Sequence, residues 1–298
     1  MTAKILDGKA LAEEIRAEVA AGVTETQQNH GITPGLAAIL VGDDPASAIY
    51  VRNKRRACEE VGMVSDTVVL PADSNTEEIL ATVYDLNKNH RFHGILVQLP
   101  LPPHVDELAV IESISPDKDV DGLHPFNIGK LAQGRADFVP GTPAGIQQIL
   151  MRSGHDPAGA NVVICGRSDI VGKPMALVLM QQADGANATV TVCHTRTKNM
   201  TDITRQADIL VAAIGKPNAI TADMVKEGAV VIDVGINRVD DTSRKRGYRL
   251  AGDVDFAGVS EKASSITPVP GGVGPMTVAM LLVNTLTATR LSIHGRTS

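Results

Sequence analysis

The 298-residue sequence has no tryptophan, three tyrosines and four phenylalanines. Its core must therefore be aliphatic, and it lacks the flat side chains on which single-stranded nucleic acids stack. Cysteine is as sparse: Cys58, Cys165 and Cys193, an odd set without a CxxC pair. Neither a disulfide framework nor a structural zinc is expected, and no metal site at all, so the chain reads as a reduced, intracellular protein. Basic residues are short as well, 28 Lys+Arg against 34 Asp+Glu, a net charge of −6. That argues against a broad nucleic-acid surface, which needs a basic stripe. A local anion site stays compatible with it, because a helix N-terminus and one or two arginines suffice. Residues 1–16 alternate charge with aliphatics and lack the apolar segment of a secretory signal. The longest apolar runs, such as 94–101, are short for a bilayer. A cytoplasmic protein that touches neither nucleic acid nor membrane is the expectation.

What is present is an aliphatic chain, 43% hydrophobic and 21% charged, which is globular composition. At about 150 residues per domain, two domains are expected. Short aliphatic runs alternate with helical patterns, the signature of α/β architecture with parallel strands. Leu11, Ile15 and Val19 mark a helix face. Strands are expected at 36–41 (LAAILV), 64–70 and 94–99 (GILVQL), with a helix from Ser47, as its cap, to about Glu60 and another from Thr76 to about Asn89. A loop-rich stretch, 115–143, separates this run from a second one. There a helix is expected at 143–152 and another from about Pro174, with strands at 161–165, 188–193, 207–214 and 229–234. A Pro/Gly-rich loop, 267–275, leads into an apolar helix from about 276 to 289. The domain expectation is 1–140 and 141–275.

Residues 165–174 (CGRSDIVGKP) follow a strand and open a helix. Glycine lets backbone approach a pyrophosphate, and a helix N-terminus offers it free N–H groups. The P-loop pattern fails, with five residues between Gly166 and Gly172 and Pro174 after the lysine. The GxGxxG fingerprint fails too, since Ser168 stands at its second glycine. Alone, such a turn reads as ordinary strand-to-helix punctuation. The next strand adds weight: where an NAD site carries Asp or Glu, this chain has His194-Thr195-Arg196. Nothing there repels a 2′-phosphate, and Arg167, Thr195 and Arg196 suit one, so NADP is expected over NAD.

Tyr50 and Lys54 share a helix face at spacing four. On composition alone the run Arg52–Arg56 is a solvated face. In a cleft, a lysine that has lost hydration exchanges protons near neutral pH. Gln98 interrupts an apolar strand near its C-terminal end, where α/β sheets place ligands and where a buried amide needs partners. Residues 117–122 (DKDVDG) imitate half an EF-hand, but Pro125 and Ile128 occupy ligand positions, which excludes calcium. Solvated acids on a turn and a grip on an amino-heterocycle both remain open for it. Residues 267–277 (TPVPGGVGPMT) could bring backbone close to a flat ligand.

Taken together, residues 50–54 (YVRNK), 97–104 (VQLPLPPH), 116–122 (PDKDVDG), 166–174 (GRSDIVGKP), 233–237 (DVGIN), 252–256 (GDVDF) and 268–277 (PVPGGVGPMT) resemble the bifunctional methylenetetrahydrofolate dehydrogenase/methenyltetrahydrofolate cyclohydrolase family. They follow the family order over nearly the whole chain. The resemblance implies two α/β domains with a cleft between them: a folate-binding catalytic domain, 1–140, completed by the terminal segment 276–298, and a Rossmann-like NADP-binding domain, 141–275. It implies a homodimer and oxidation of 5,10-methylenetetrahydrofolate with NADP⁺, followed by hydrolysis of the methenyl product to 10-formyltetrahydrofolate. By the same resemblance, Lys54 is central to hydrolysis, Gln98 orients it, Tyr50 lies against the folate rings and Asp121 bonds the pterin N–H groups; these four are the expected catalytic set. Val97, Leu99, Pro270, Gly271, Gly272, Val273 and Gly274 border the folate, and Gly166, Arg167, Ser168, Thr195 and Ile236 hold the cofactor. Thr195 stands where the family commonly has serine, and 181–187 is longer than usual. The alternatives are a shikimate-type NADP dehydrogenase, a monofunctional folate dehydrogenase, which the Lys54 and Gln98 pair disfavours, and a non-catalytic NADP-sensing module.

Overall fold

The computed structural model describes residues 2–244 and 247–295. They form two compact units, Glu13–Gly141 with Val278–Ser298, and Met1–Ala12 with Thr142–Thr277.

The first of these is built on a three-stranded parallel sheet in the order Val64–Leu70, Gly35–Val41, Gly94–Val97. All seven residues of the central strand are buried. A parallel strand covered on both faces needs such an unbroken apolar run. Ile39, Ile79, Val83, Ile95 and Val110 meet in one core cluster. The helix Pro45–Glu60 starts two residues before Ser47: Asp44 is its cap, and the Asp44 carboxylate accepts from the Ser47 N–H at 2.7 Å. Pro45 fits the first helical turn, where no N–H is needed. Asn75 and Glu78 close a reciprocal capping box on Thr76–Lys88. The stretch expected to be loop, 115–143, contains a helix, Pro125–Ala132, capped by His124. It is two turns long with an internal glycine, too short for periodicity to reveal.

The second unit carries a six-stranded parallel sheet in the order Lys4–Ile5, Ser265–Ile266, Val230–Asp233, Ile209–Ala212, Asn161–Cys165, Thr189–Cys193, and a separate antiparallel pair, Asn237–Asp240 with Tyr248–Ala251. After Asn161–Cys165 the chain adds one neighbour on one side and the next on the other. This is the topological switch at which such sheets bind ligands. The first residues pack here rather than with the rest of 1–140: Lys4–Ile5 pairs with Ser265–Ile266, and the Ala3 N–H donates to the Ser260 carbonyl at 2.7 Å. A two-residue edge strand has no period to read.

The helix Val273–Ile293 runs from one unit into the other. It is long and apolar enough to cross a membrane, with mean hydropathy 1.3 over its most apolar stretch, which corrects the expectation that every apolar run is too short. More than half of that stretch is buried in the protein, at 56%. Polar groups are buried with it: the Asn284 amide donates to the carbonyls of Val120 at 2.7 Å and Val139 at 2.9 Å. The last three residues of the expected 276–298 segment lie outside the described residues.

Candidate functional site

In the three-stranded unit, chemistry gathers at the C-terminal edge of the sheet. The main chain of Gln98 continues the ladder past Val97, its N–H donating to the Ile39 carbonyl at 2.9 Å. Its side-chain amide donates to the Leu99 carbonyl at 2.8 Å. That leaves Oε1 as the outward end, and Lys54 Nζ donates to it at 3.2 Å. Two positions 44 residues apart are thus one polar pair, with both side chains half-buried. Tyr50 stands one turn before Lys54, 46% exposed. Val97 is buried, and Leu99 precedes a cis proline, Pro100.

Asp121 belongs to the same neighbourhood. Burial pushes its carboxyl up to about 6, against the pull of the Lys54 charge, while Asp119 adds to the rise. Asp119 has a different task. It is buried and accepts from the N–H groups of Leu123 (3.2 Å) and His124 (2.8 Å) and from the Asn127 amide (2.8 Å). It folds the turn that presents Asp121. In the sequence the two aspartates are indistinguishable; the three donors that tie down Asp119 separate the scaffold from the candidate ligand.

In the six-stranded unit, Gly166 follows the strand at the switch point with φ +144°, and a Cβ there would lie 2.1 Å from the Ala213 carbonyl oxygen. Gly172 is packed as tightly, its Cβ position 2.2 Å from the Gly166 oxygen. Between them the turn opens onto a cavity of about 240 Å³ bordered by Gly166, Arg167, Ser168, His194, Thr195 and the two thiols Cys165 and Cys193, with no carboxylate on its wall. The 181–187 stretch closes on itself, with Asn187 N–H to Gln181 O at 2.8 Å and the Gln147 amide to Gly185 O at 2.8 Å. Gly215 and Ile214 N–H groups are claimed by Asp253.

The 268–277 segment is a tight turn. Gly271 has φ +106°, the Gly272 N–H donates to the Pro268 carbonyl at 2.9 Å, and the Val269–Pro270 bond is cis. Val273 and Gly274 already belong to the terminal helix. Ile236, 48% exposed, lies against Gly274, where a Cβ would sit 3.6 Å from its Cδ1. It is not on the wall of the 240 Å³ cavity, which gathers only four of the five expected cofactor residues.

Two residues without an expected role hold this region together. Asp233 accepts from the N–H groups of Gly235, Asp253 and Val254 at 2.9–3.0 Å. Asp253 accepts in turn from the Asn237 amide at 2.9 Å. Burial pushes the Asp233 carboxyl up to about 6, although these bonds oppose the rise. The aspartates are the first residue of DVGIN and the second of GDVDF, motifs whose spacing says nothing about meeting. Among the described residues no group of three or more His, Cys, Asp or Glu could hold a metal.

Residues 6–121 match the tetrahydrofolate dehydrogenase/cyclohydrolase catalytic domain, and residues 140–293 the NAD(P)-binding domain of the same family. The chain is 56% identical over 284 residues to a bifunctional protein FolD of Chloroherpeton thalassium, covering 95% of this chain and 97% of the relative. Among solved structures, the bifunctional FolD enzyme of Campylobacter jejuni superposes with TM-score 0.90 at 48% identity, over 96% of this chain and 98% of the other. The Trypanosoma brucei methylenetetrahydrofolate dehydrogenase-cyclohydrolase, solved with NADP cofactor and inhibitor, gives 0.93 at 42%, over 99% and 100%. By both of its halves, the chain belongs to the tetrahydrofolate dehydrogenase/cyclohydrolase family.

Proposed function

We propose that this chain oxidises 5,10-methylenetetrahydrofolate to the methenyl form with NADP⁺ and then hydrolyses the methenyl form to 10-formyltetrahydrofolate. The observation that carries the reading is the Lys54–Gln98 hydrogen bond at 3.2 Å, with Asp121 within reach of the lysine charge.

The cofactor fits the chain's own residues. Gly166 and Gly172 let the strand-to-helix turn close tightly, since a Cβ at either would strike a backbone oxygen, that of Ala213 or of Gly166. The cavity wall carries Arg167, Ser168 and Thr195 and no acid, which suits a ribose bearing a 2′-phosphate. Arg167, Ser168 and Thr195 would hold that end, with Ile236 bordering the group elsewhere. When bound, NADP⁺ supplies the hydride acceptor.

The remaining work is positioning and proton handling. Asp121, as a carboxylate, accepts from the pterin amino and ring N–H groups, a charge-assisted pairing that rejects molecules lacking those donors. Tyr50 offers its exposed ring to the flat pterin, and Val97 and Leu99 border the substrate. Because Gln98 is pinned by Leu99, its Oε1 fixes one proton of Lys54 and aims the amine. As water adds to the methenyl carbon, Lys54 holds and relays the proton that leaves. Hydride transfer asks nothing of that amine except room.

Lys54→Ala therefore lowers the cyclohydrolase rate by about 10²–10⁴-fold, the usual worth of a positioned proton carrier, and changes dehydrogenase turnover far less. Following methenyl absorbance as it forms and decays with NADP⁺ reads both steps at once. A folded variant with full cyclohydrolase activity overturns the assignment. The reading carries with it a cytoplasmic homodimer, which sedimentation equilibrium measures.

A further inference from the structure

Cys165 and Cys193 end adjacent parallel strands and stand directly opposite each other in the register. Residues paired in this way point to the same face of the sheet, and both belong to one core cluster. Their thiols interact directly, each altering the ionisation of the other. Both border the 240 Å³ cavity beside Gly166, Arg167, Ser168 and Thr195. Cys193 is followed by a turn in which the His194 N–H donates to Thr197 Oγ1 and the Thr197 N–H to the His194 carbonyl. The third cysteine, Cys58, is buried in the other unit.

The geometry points to a dithiol site for trivalent arsenic: we propose that an arsenical bridges Cys165 and Cys193 and that the bridged protein no longer binds NADP. A direct disulfide fits less well. Neighbouring strands lie about 4.7–4.9 Å apart, whereas a disulfide draws its Cβ atoms to about 3.5–4.5 Å. One inserted atom removes that demand, and sulfur pairs select soft, thiophilic centres. Burial pushes the Cys165 thiol up to about 12 and raises Cys193 as well. With phenylarsine oxide the step balances: two S–H bonds break, two S–As bonds form, and the arsenyl oxygen leaves as water with both protons. Arsenic stays trivalent and nothing is oxidised or reduced.

The consequence for NADP rests on the cofactor reading above; the adduct does not. The experiment treats the folded enzyme with phenylarsine oxide, maps the adduct by peptide mass spectrometry and titrates NADPH fluorescence before and after. The expected result is one arsenic joining the Cys165 and Cys193 peptides and at least tenfold weaker NADPH binding. Affinity returns with 2,3-dimercaptopropanol and not with the same concentration of 2-mercaptoethanol. Cys165→Ser and Cys193→Ser, each compared with its own untreated sample, are insensitive, and Cys58→Ser behaves as the parent protein. No bridged adduct in the parent protein, an adduct that leaves NADPH affinity unchanged, or inhibition that persists in both single variants would overturn the proposal. Untreated protein that fails to bind NADPH defeats the cofactor reading instead, and the mapped adduct then decides the dithiol site alone.

Discussion

At the scale of single residues, Asp121 gives the proposed site its pH dependence. Burial raises its carboxyl to about 6, and the donors of a pterin require the ionised form. KM for the folate substrate is expected to rise as pH falls through about 6, while kcat changes less. Asp121→Asn should bind more weakly and lose that pH dependence, which initial rates from pH 5 to 8 will show. The stability effect has the opposite sense. The native state holds this proton more tightly than the unfolded chain, so the contribution is complete below about pH 4 and is lost as pH rises through about 6. Gly166 sets a second, independent test. A methyl at this position meets the Ala213 oxygen at 2.1 Å, in a backbone conformation that side chains rarely adopt. Gly166→Ala is expected to cost at least tenfold in NADP affinity while cyclohydrolase activity, measured on supplied methenyl substrate, is retained.

At the scale of elements, the terminal helix is the informative one. Its hydropathy alone suits a membrane span, yet Asn284, Thr285 and Thr289 are buried within it. The threonine hydroxyls donate to carbonyls one turn back, at 2.8 and 2.9 Å, and Asn284 satisfies two carbonyls of the unit it packs on. Asn284→Ala leaves those carbonyls without a donor and is expected to destabilise by about 2–3 kcal/mol, since a buried group left unpaired costs more than the bond was worth. Urea denaturation should show a lower midpoint at unchanged slope. The helix Pro45–Glu60 teaches a related lesson. Ser47 and Asp44 are both good caps, and the choice fell on Asp44 because Pro45 occupies the first turn.

At the scale of the molecule, the cut after Gly141 lies one residue from the expected one, and the N-terminal segment is what departs from that division. Residues before Glu13 belong with the six-stranded unit, where Ala3 and Leu6 are buried and Lys4–Ile5 supplies the edge strand. Deleting residues 2–6 is expected to lower the melting temperature by several degrees in calorimetry. NADP at about a hundred times its Kd should restore about 2.7 kcal/mol, because it binds only the folded unit. An unchanged melting temperature would mean that the edge strand contributes nothing.

The sequence by itself determined the α/β class, the long parallel strands and the order of motifs that marks the family. Each of these is local: an unbroken aliphatic run, a glycine after a strand, a set of residues at short spacing. Tertiary structure alone decided which distant residues meet. Lys54 reaches Gln98 only because the strand that carries Gln98 pairs with the centre of the sheet. Asp233 and Asp253 form one hub through backbone donors that no side-chain pattern reveals. Asp119 and Asp121 look alike in the chain and differ in what surrounds them. Cys165 and Cys193 face each other because two strands 28 residues apart share a register. Periodicity reports the face that a residue presents; hydrogen-bond partners and burial depend on which other segment arrives there, and that is settled only when the whole chain packs.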